Sequence, residues 1–231
     1  VRTSTLAHLL RLAGLPTLQG PRVEATVVPQ LDEAAERLLA GDATAAADLP
    51  IPRTEFLCWL AQTRPVLFHG SSREDLALLE PIRLSRDTAE FGDRQGVYAT
   101  NDPVWAIYFA TLRRSNPFST RNGSLAPAGS DLYPRWYFFS VRAPGGRERF
   151  GTGSLYVLPR EGFVSQAPLY GAIDTAQWLS PTSVRPIVRL DVAADDFPLR
   201  DYVVGHSDRE PMLVTWARAG VRARRQRSAR R

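Results

Sequence analysis

The chain has 231 residues, 44% of them apolar, which is enough for one large or two small domains with a sizeable core. No apolar run is long enough to span a bilayer, and no secretory leader is read near its start. Cys58 is the only cysteine, which excludes an intrachain disulfide and any zinc site built from cysteine clusters. All 29 basic residues are arginine, and seven of them fall in the last 14 residues; removing those seven from the formal charge of +5 leaves a body of −2. A single thiol fits a reducing compartment, so a cytoplasmic location is expected.

In chain order, Thr3 to Ala13 reads as an amphipathic helix with Leu6, Leu9, Leu10 and Ala13 on one face and Gly14 just past its end. Leu15 to Pro21 is a turn-rich link, and Val23 to Val28 is a candidate short strand. Leu31 to Ala40 is a second helix closed by Gly41. Thr54 is suited to cap a third, Glu55 to Gln62, which turns Phe56, Leu57 and Leu60 inward. Residues 1–62 are thus expected as a helical lead-in packed on the core, with a separate small domain as the alternative. No internal repeat is found.

The richest stretch runs from Pro65 to Arg114. Val66-Leu67-Phe68 reads as a short buried strand that empties into His69-Gly70-Ser71-Ser72, where polar groups can face a cleft. Gly96-Val97-Tyr98-Ala99-Thr100 follows a glycine-flexed loop as a second strand. Asn101 or Asp102 can then cap a helix with Pro103 in its first turn, and Val104, Ile107, Tyr108 and Thr111 recur at helical spacing.

Beyond it, Ser115 to Leu132 is rich in Ser, Pro, Gly and Asn and reads as a long loop. Arg135 to Val141 alternates as a strong strand, followed by shorter ones at Ser154 to Leu158, Gly162 to Gln166, Trp178 to Ser180 and Ile187 to Val192. Tyr202 to Val204 is a last strand fragment, and Glu210 to Ala219 is a candidate short helix. Residues 217–231 form a basic tail read as disordered or weakly helical, with a charge suited to the phosphates of nucleic acid or to an anionic surface. Short strands after helices define an α+β class with mainly antiparallel sheet.

The order His69-Gly70-Ser71, Gly96-Val97-Tyr98-Ala99, then Ala106 with Tyr108 resembles the ADP-ribosyltransferase superfamily, in the histidine–tyrosine branch that includes the poly(ADP-ribose) polymerases. The resemblance covers roughly 50 residues well and the next ~100 loosely; it places such a domain over 63–216. It implies two packed sheets around a cleft that grips NAD, as substrate and without a metal, in a bent shape. His69 would hold the adenosine ribose and Gly70 the nicotinamide amide through its backbone, with Ser71 beside it. Tyr98 and Tyr108 would sandwich the nicotinamide ring, as an aromatic face suits a flat heterocycle. Arg86 or Arg94 would meet the pyrophosphate, since arginine forks suit phosphate oxygens.

Active members place a glutamate on a late strand, where a carboxylate stabilises the positive charge that grows as the glycosidic bond breaks. Here Gln177, opening Gln177-Trp178-Leu179-Ser180, stands at that position, with Glu161 as its rival. A neutral amide there forgoes roughly 3–4 kcal/mol of such stabilisation. Three functions follow: transfer of ADP-ribose from NAD to an unknown acceptor; a degenerate module that binds NAD, ADP-ribose or a protein; or a nucleic-acid-associated scaffold, which the acidic body argues against. A secreted toxin domain is the alternative to a cytoplasmic enzyme. Phosphate-binding glycine loops and metal-spaced clusters are absent from the sequence.

Overall fold

The structure is a computed structural model and describes residues 3–81, 94–114, 119–142 and 149–229. Helix α1 (Thr3–Leu12) is followed by Gly14, whose φ of +73° favours glycine, and by the two-residue strand β1 (Thr17–Leu18). α2 (Val28–Leu39) buries Leu31, Ala34, Ala35 and Leu38 at helical spacing, and α3 (Arg53–Thr63) buries Phe56 to Leu60. The strand expected over Val23 to Val28 does not form. Val27 N–H instead closes a turn onto Glu24 O at 2.9 Å, and Pro29 sits in the first turn of α2, where its missing N–H costs no bond.

The fold is α+β, with two mainly antiparallel sheets behind the helical lead-in. The first sheet runs β1, β5 (Arg135–Arg142), β4 (Thr120–Pro127) and β8 (Ile173–Asp174), with β11 (Val204–His206) parallel to β5. The second runs β10 (Val188–Val192), β6 (Gly153–Pro159), β2 (Val66–Ser71), β3 (Val97–Thr100), β9 (Gln177–Ser180) and β7 (Val164–Ser165). The lead-in is tied into this body: β1 pairs with β5 through Thr17↔Trp136 and Leu18↔Arg135.

The main core lies between the sheets and holds Phe56, Phe68, Tyr108, Tyr137, Phe139 and Leu155. Through it runs α4 (Pro103–Thr111), capped by Asp102, whose Oδ1 accepts from Val104 N–H at 3.1 Å. Two glycines let this helix rest directly on strand backbone. A Cβ on Gly70 would lie 1.8 Å from Ala106 O, and one on Gly153 would lie 1.9 Å from Ala110 O. A second cluster, with Leu67, Val97, Ala99, Tyr156 and Leu158, covers the outer face of the second sheet.

Two further expectations need correction. The polar stretch expected as a loop over 115–132 contains β4. Its Thr120, Asn122 and Ser124, alternating along the strand, all bond to groups of α4 or of the turn before it, so the polar composition belongs to an inward-facing stripe. The basic segment expected as disordered or weakly helical belongs to a regular helix: α5 spans Met212–Ala229 and extends the short helix expected from Glu210 to Ala219. Alanines and arginines are strong helix formers. Thr215, Ala219 and Ala223 are buried along one side, and Arg224 and Arg227 bond to the carbonyls of Leu12 and Gly14.

Candidate active site at the parting of β2 and β3

Strand β2 pairs with β6 over its whole length, from Val66↔Pro159 to Ser71↔Ser154, while β3 pairs fully with β9, from Val97↔Ser180 to Thr100↔Gln177. Between β2 and β3 the ladder has one pair, Phe68↔Thr100. The second sheet therefore opens just past that pair.

The side chain of His69 occupies the parting. Its Nδ1–H donates to Tyr98 O at 2.7 Å. Arg160 N–H bonds to Pro65 O at 3.1 Å, which sets the alternation along β2: odd-numbered residues turn their backbone groups to β6, and Phe68 and Gly70 turn theirs to β3. A continued ladder would give the Tyr98 carbonyl to Gly70. The imidazole takes it instead, and the β3-facing N–H and C=O of Gly70 lie beyond the last paired residues.

That hydrogen bond fixes the tautomer of the neutral ring, so Nε2 is an acceptor. Burial holds the imidazole below its ordinary pKa; the Tyr98 carbonyl opposes this, and the nearby Arg114 cation adds to it.

The predicted residues divide between the two faces of the sheet. His69 shares the outer face with Tyr156, the ring centroids being 6.4 Å apart, and with Ala99 and Trp178. Ser71 is on the same face; its Oγ accepts from Arg73 N–H at 3.0 Å. Opposite it, Ser154 Oγ is buried without a hydrogen-bond partner among the described residues. Tyr98 and Gln177 turn to the inner face, in line with Thr100. Tyr98 is half-buried, and its hydroxyl donates to Arg94 O at 2.6 Å. Gln177 is also half-buried and opens β9.

Tyr108 is not at the parting, contrary to the ring-stacking role expected for it. Its ring is fully buried, 4.5 Å from Phe139 and 5.4 Å from Phe197 between centroids, and its hydroxyl is shared with Thr120 Oγ1 at 2.6 Å. The next residue, Phe109, is the half-buried aromatic of this turn. Glu161 is exposed in the turn between β6 and β7, beside Arg160, whose guanidinium lies 4.6 Å from the Trp178 ring centroid. Arg86 lies outside the described residues. Arg94 is exposed and contributes its carbonyl to Tyr98.

Sequence reasoning missed the polar frame beneath Gln177. Arg135, fully buried, donates to Asp174 Oδ2 at 2.7 Å, to Ser124 Oγ at 2.7 Å and to the carbonyls of Ser124 and Asp174 at 3.1 and 3.2 Å. Ser124 Oγ in turn donates to Asp102 Oδ2 at 2.5 Å. Burial raises the pKa of the Asp102 carboxyl, with Arg135 the chief opposing influence. Asp174 Oδ1 receives Ala176 N–H at 3.3 Å, and Ala176, at φ +59°, gives its carbonyl to Asn101 N–H at 3.3 Å. One buried cation thus links the start of α4 to the start of β9. Asn101 Oδ1 is buried there with no partner among the described residues. Arginine at the head of an alternating apolar strand was the one signal of this frame.

No group of three or more His, Cys, Asp or Glu side chains stands where it could hold a metal ion among the described residues, and no described helix is long and apolar enough to cross a membrane. No protein-family model matches this chain, and none of the curated proteins or solved structures compared with it matches either.

Proposed function

We propose that this chain is an ADP-ribosyltransferase-like enzyme that takes NAD as substrate. The observation that carries the reading is the His69 Nδ1–H bond to Tyr98 O at the parting of β2 and β3. It presents three recognition elements at one opening: the acceptor Nε2 of His69, the β3-facing amide and carbonyl of Gly70, and the ring of Tyr98. A ribose hydroxyl donates to the first. A planar carboxamide pairs with the second, giving a hydrogen to the carbonyl and taking one from the N–H. A pyridinium ring stacks on the third.

Because His69 and Tyr98 point to opposite faces, a ligand that reaches both bends around the edge where β2 and β3 part. NAD, with a ribose at each side of a pyrophosphate, has that shape. In the reaction the bond between ribose C1′ and the nicotinamide nitrogen breaks, and nicotinamide leaves with the electron pair. The ribosyl cation takes a lone pair from the acceptor, which then loses its proton. Gln177 holds a ribose hydroxyl at this centre but adds no negative charge, so turnover is slow or selective.

That neutrality favours a second reading, a module of the same fold that binds NAD or ADP-ribose without turnover. Incubation with NAD, alone and with cell extract, separates the two. Nicotinamide released without extract identifies glycohydrolysis, and release only with extract identifies a transferase with its acceptor there. NAD binding without release in either case leaves the module, and no binding at all removes both readings.

A further inference from the structure

The first and last helices, α1 and α5, meet on one side of the molecule. Gly220 of α5 approaches the end of α1 so closely that a Cβ there would lie 2.4 Å from Ala13 O. Arg224 Nη2 donates to Leu12 O at 3.1 Å, and Arg227 Nη2 donates to Gly14 O at 3.1 Å. These contacts join two segments of unusual charge. Residues 1–23 and 211–231 hold ten of the 29 arginines and none of the 24 acidic residues. The rest of the chain, with 19 arginines and all 24 acids, is net negative.

The outward side of α5 is also apolar. Thr215, Ala219 and Ala223 are buried against the body, which leaves Leu213, Ala217 and Val221, at four-residue spacing, facing away from it. Leu213 is 79% exposed, Val221 49% and Val214 46%, and Leu12 at the end of α1 is 60% exposed. With Met212, five of the eight exposed large apolar side chains among the described residues are on these two helices. Arg11 and Arg225 are exposed around them, as are Arg218, Arg222 and Arg224, whose guanidinium groups also bond to Glu210, to Asp201 O and to Leu12 O.

We infer that the α1–α5 face docks on an anionic lipid bilayer, with its arginines among the headgroups and Leu12, Leu213, Val214 and Val221 at the acyl boundary. A cationic helix face carrying exposed aliphatic side chains matches both layers of such a surface. A nucleic acid would engage the arginines and leave the aliphatic stripe in water. A second copy would bring two net cationic faces together, which like charges oppose, although Glu210 is paired there with Arg218 at 2.7 Å. The inference is independent of the reaction proposed above.

The test uses the full chain and co-sedimentation with vesicles of phosphatidylcholine, with and without phosphatidylserine. Binding should require phosphatidylserine and weaken with salt, and each of Arg11→Gln and Arg225→Gln should weaken it by roughly fivefold. Leu213→Ser with Val221→Ser should also weaken it, while unchanged circular dichroism and melting show that these exposed positions leave the fold intact. Equal binding to neutral vesicles, or no binding to either, overturns the inference. So does tight binding of a DNA duplex at physiological salt that the two serine substitutions do not alter, which would assign the face to nucleic acid.

Discussion

Trp105 Nε1–H meets Asn122 Oδ1 at 2.7 Å, the middle rung of three between the α4 segment and β4. Tyr108 and Thr120 form one outer rung at 2.6 Å, and Asp102 and Ser124 form the other at 2.5 Å. Residues three apart on one element meet residues two apart on the other, the periods of a helix face and a strand face. The rungs hold α4 to the first sheet, while Gly70 and Gly153 hold it to the second. The position of Asn101, next to Gln177, follows from both.

Tyr108→Phe should test the outer rung. Thr120 Oγ1 keeps its bond to Ser140 O at 3.0 Å, so the cost should be about 1 kcal/mol in urea denaturation. NAD affinity should not change, because the ring is enclosed by Phe139 and Phe197. A variant that folds normally yet loses NAD would give the Tyr108 hydroxyl a part in NAD binding.

Arg135→Met should be far more damaging. It leaves Asp102 and Asp174 without their cation and Ser124 without a donor, and removing one partner of a buried charge pair costs about 3–5 kcal/mol. Adding Asp102→Asn should recover part of that loss, since the unpaired carboxylate is then gone. A double-mutant cycle measures the recovery. Additive effects of the two substitutions would mean that Arg135 and Asp102 are not coupled through Ser124.

Acid should weaken the fold through two histidines. Burial is the leading cause that lowers the pKa of both His69 and His206 below 6.5. The unfolded chain then takes up these protons first. Stability is fully present above about pH 6.5 and is lost as pH falls from there through the lowered folded values. NMR titration of the ring protons should give midpoints under 6.5 for both. His69→Asn, whose amide can still donate to Tyr98 O, should flatten the part of the acid slope due to His69. A His69 midpoint at or above 6.5 would contradict the neutral, Nε2-accepting ring on which ribose binding is argued.

What the sequence carried and what it hid divide along physical lines. The strands at Val66 and Val97 and the Pro103 helix were legible because apolar period and cap residues are local signals. β4 was hidden because its inward side chains are polar: Thr120, Asn122 and Ser124 read as a loop until Tyr108, Trp105 and Asp102 are placed opposite them. The first half of α5 was legible as a short helix from Glu210 to Ala219; its second half was hidden because a run of arginines resembles a solvated tail until Arg218 and Arg222 are placed on Gly205 and Asp201, and Arg224 and Arg227 on the carbonyls at the end of α1. The ring-stacking role of Tyr108 came from the resemblance, and nothing local distinguishes a ligand-facing side of a nearly all-apolar helix from its core face. The division of His69 and Tyr98 between opposite sides of a sheet depends on where a ladder ends, which is a long-range property.

The last prediction concerns Gln177. It opens β9 opposite Thr100, on the inner face shared with Tyr98, and its carbonyl accepts from Gln166 N–H at 2.8 Å. The backbone is therefore fixed while the half-buried side chain is available to a ligand. Gln177→Glu is nearly isosteric, so folding should survive. On the proposed reaction it adds a carboxylate where positive charge would grow as nicotinamide leaves, and preorganised contacts of this kind are worth roughly 3–4 kcal/mol, on the order of a hundred- to a thousandfold in rate. Nicotinamide release should rise toward that limit above the pKa of the new acid and fall back below it, a pH dependence that a purely structural change would not produce. Glu161→Gln, in an exposed turn, should leave release unchanged. If instead Gln177→Glu has no effect and Glu161→Gln abolishes release, the acid of the reaction is Glu161 and β9 is not the catalytic strand.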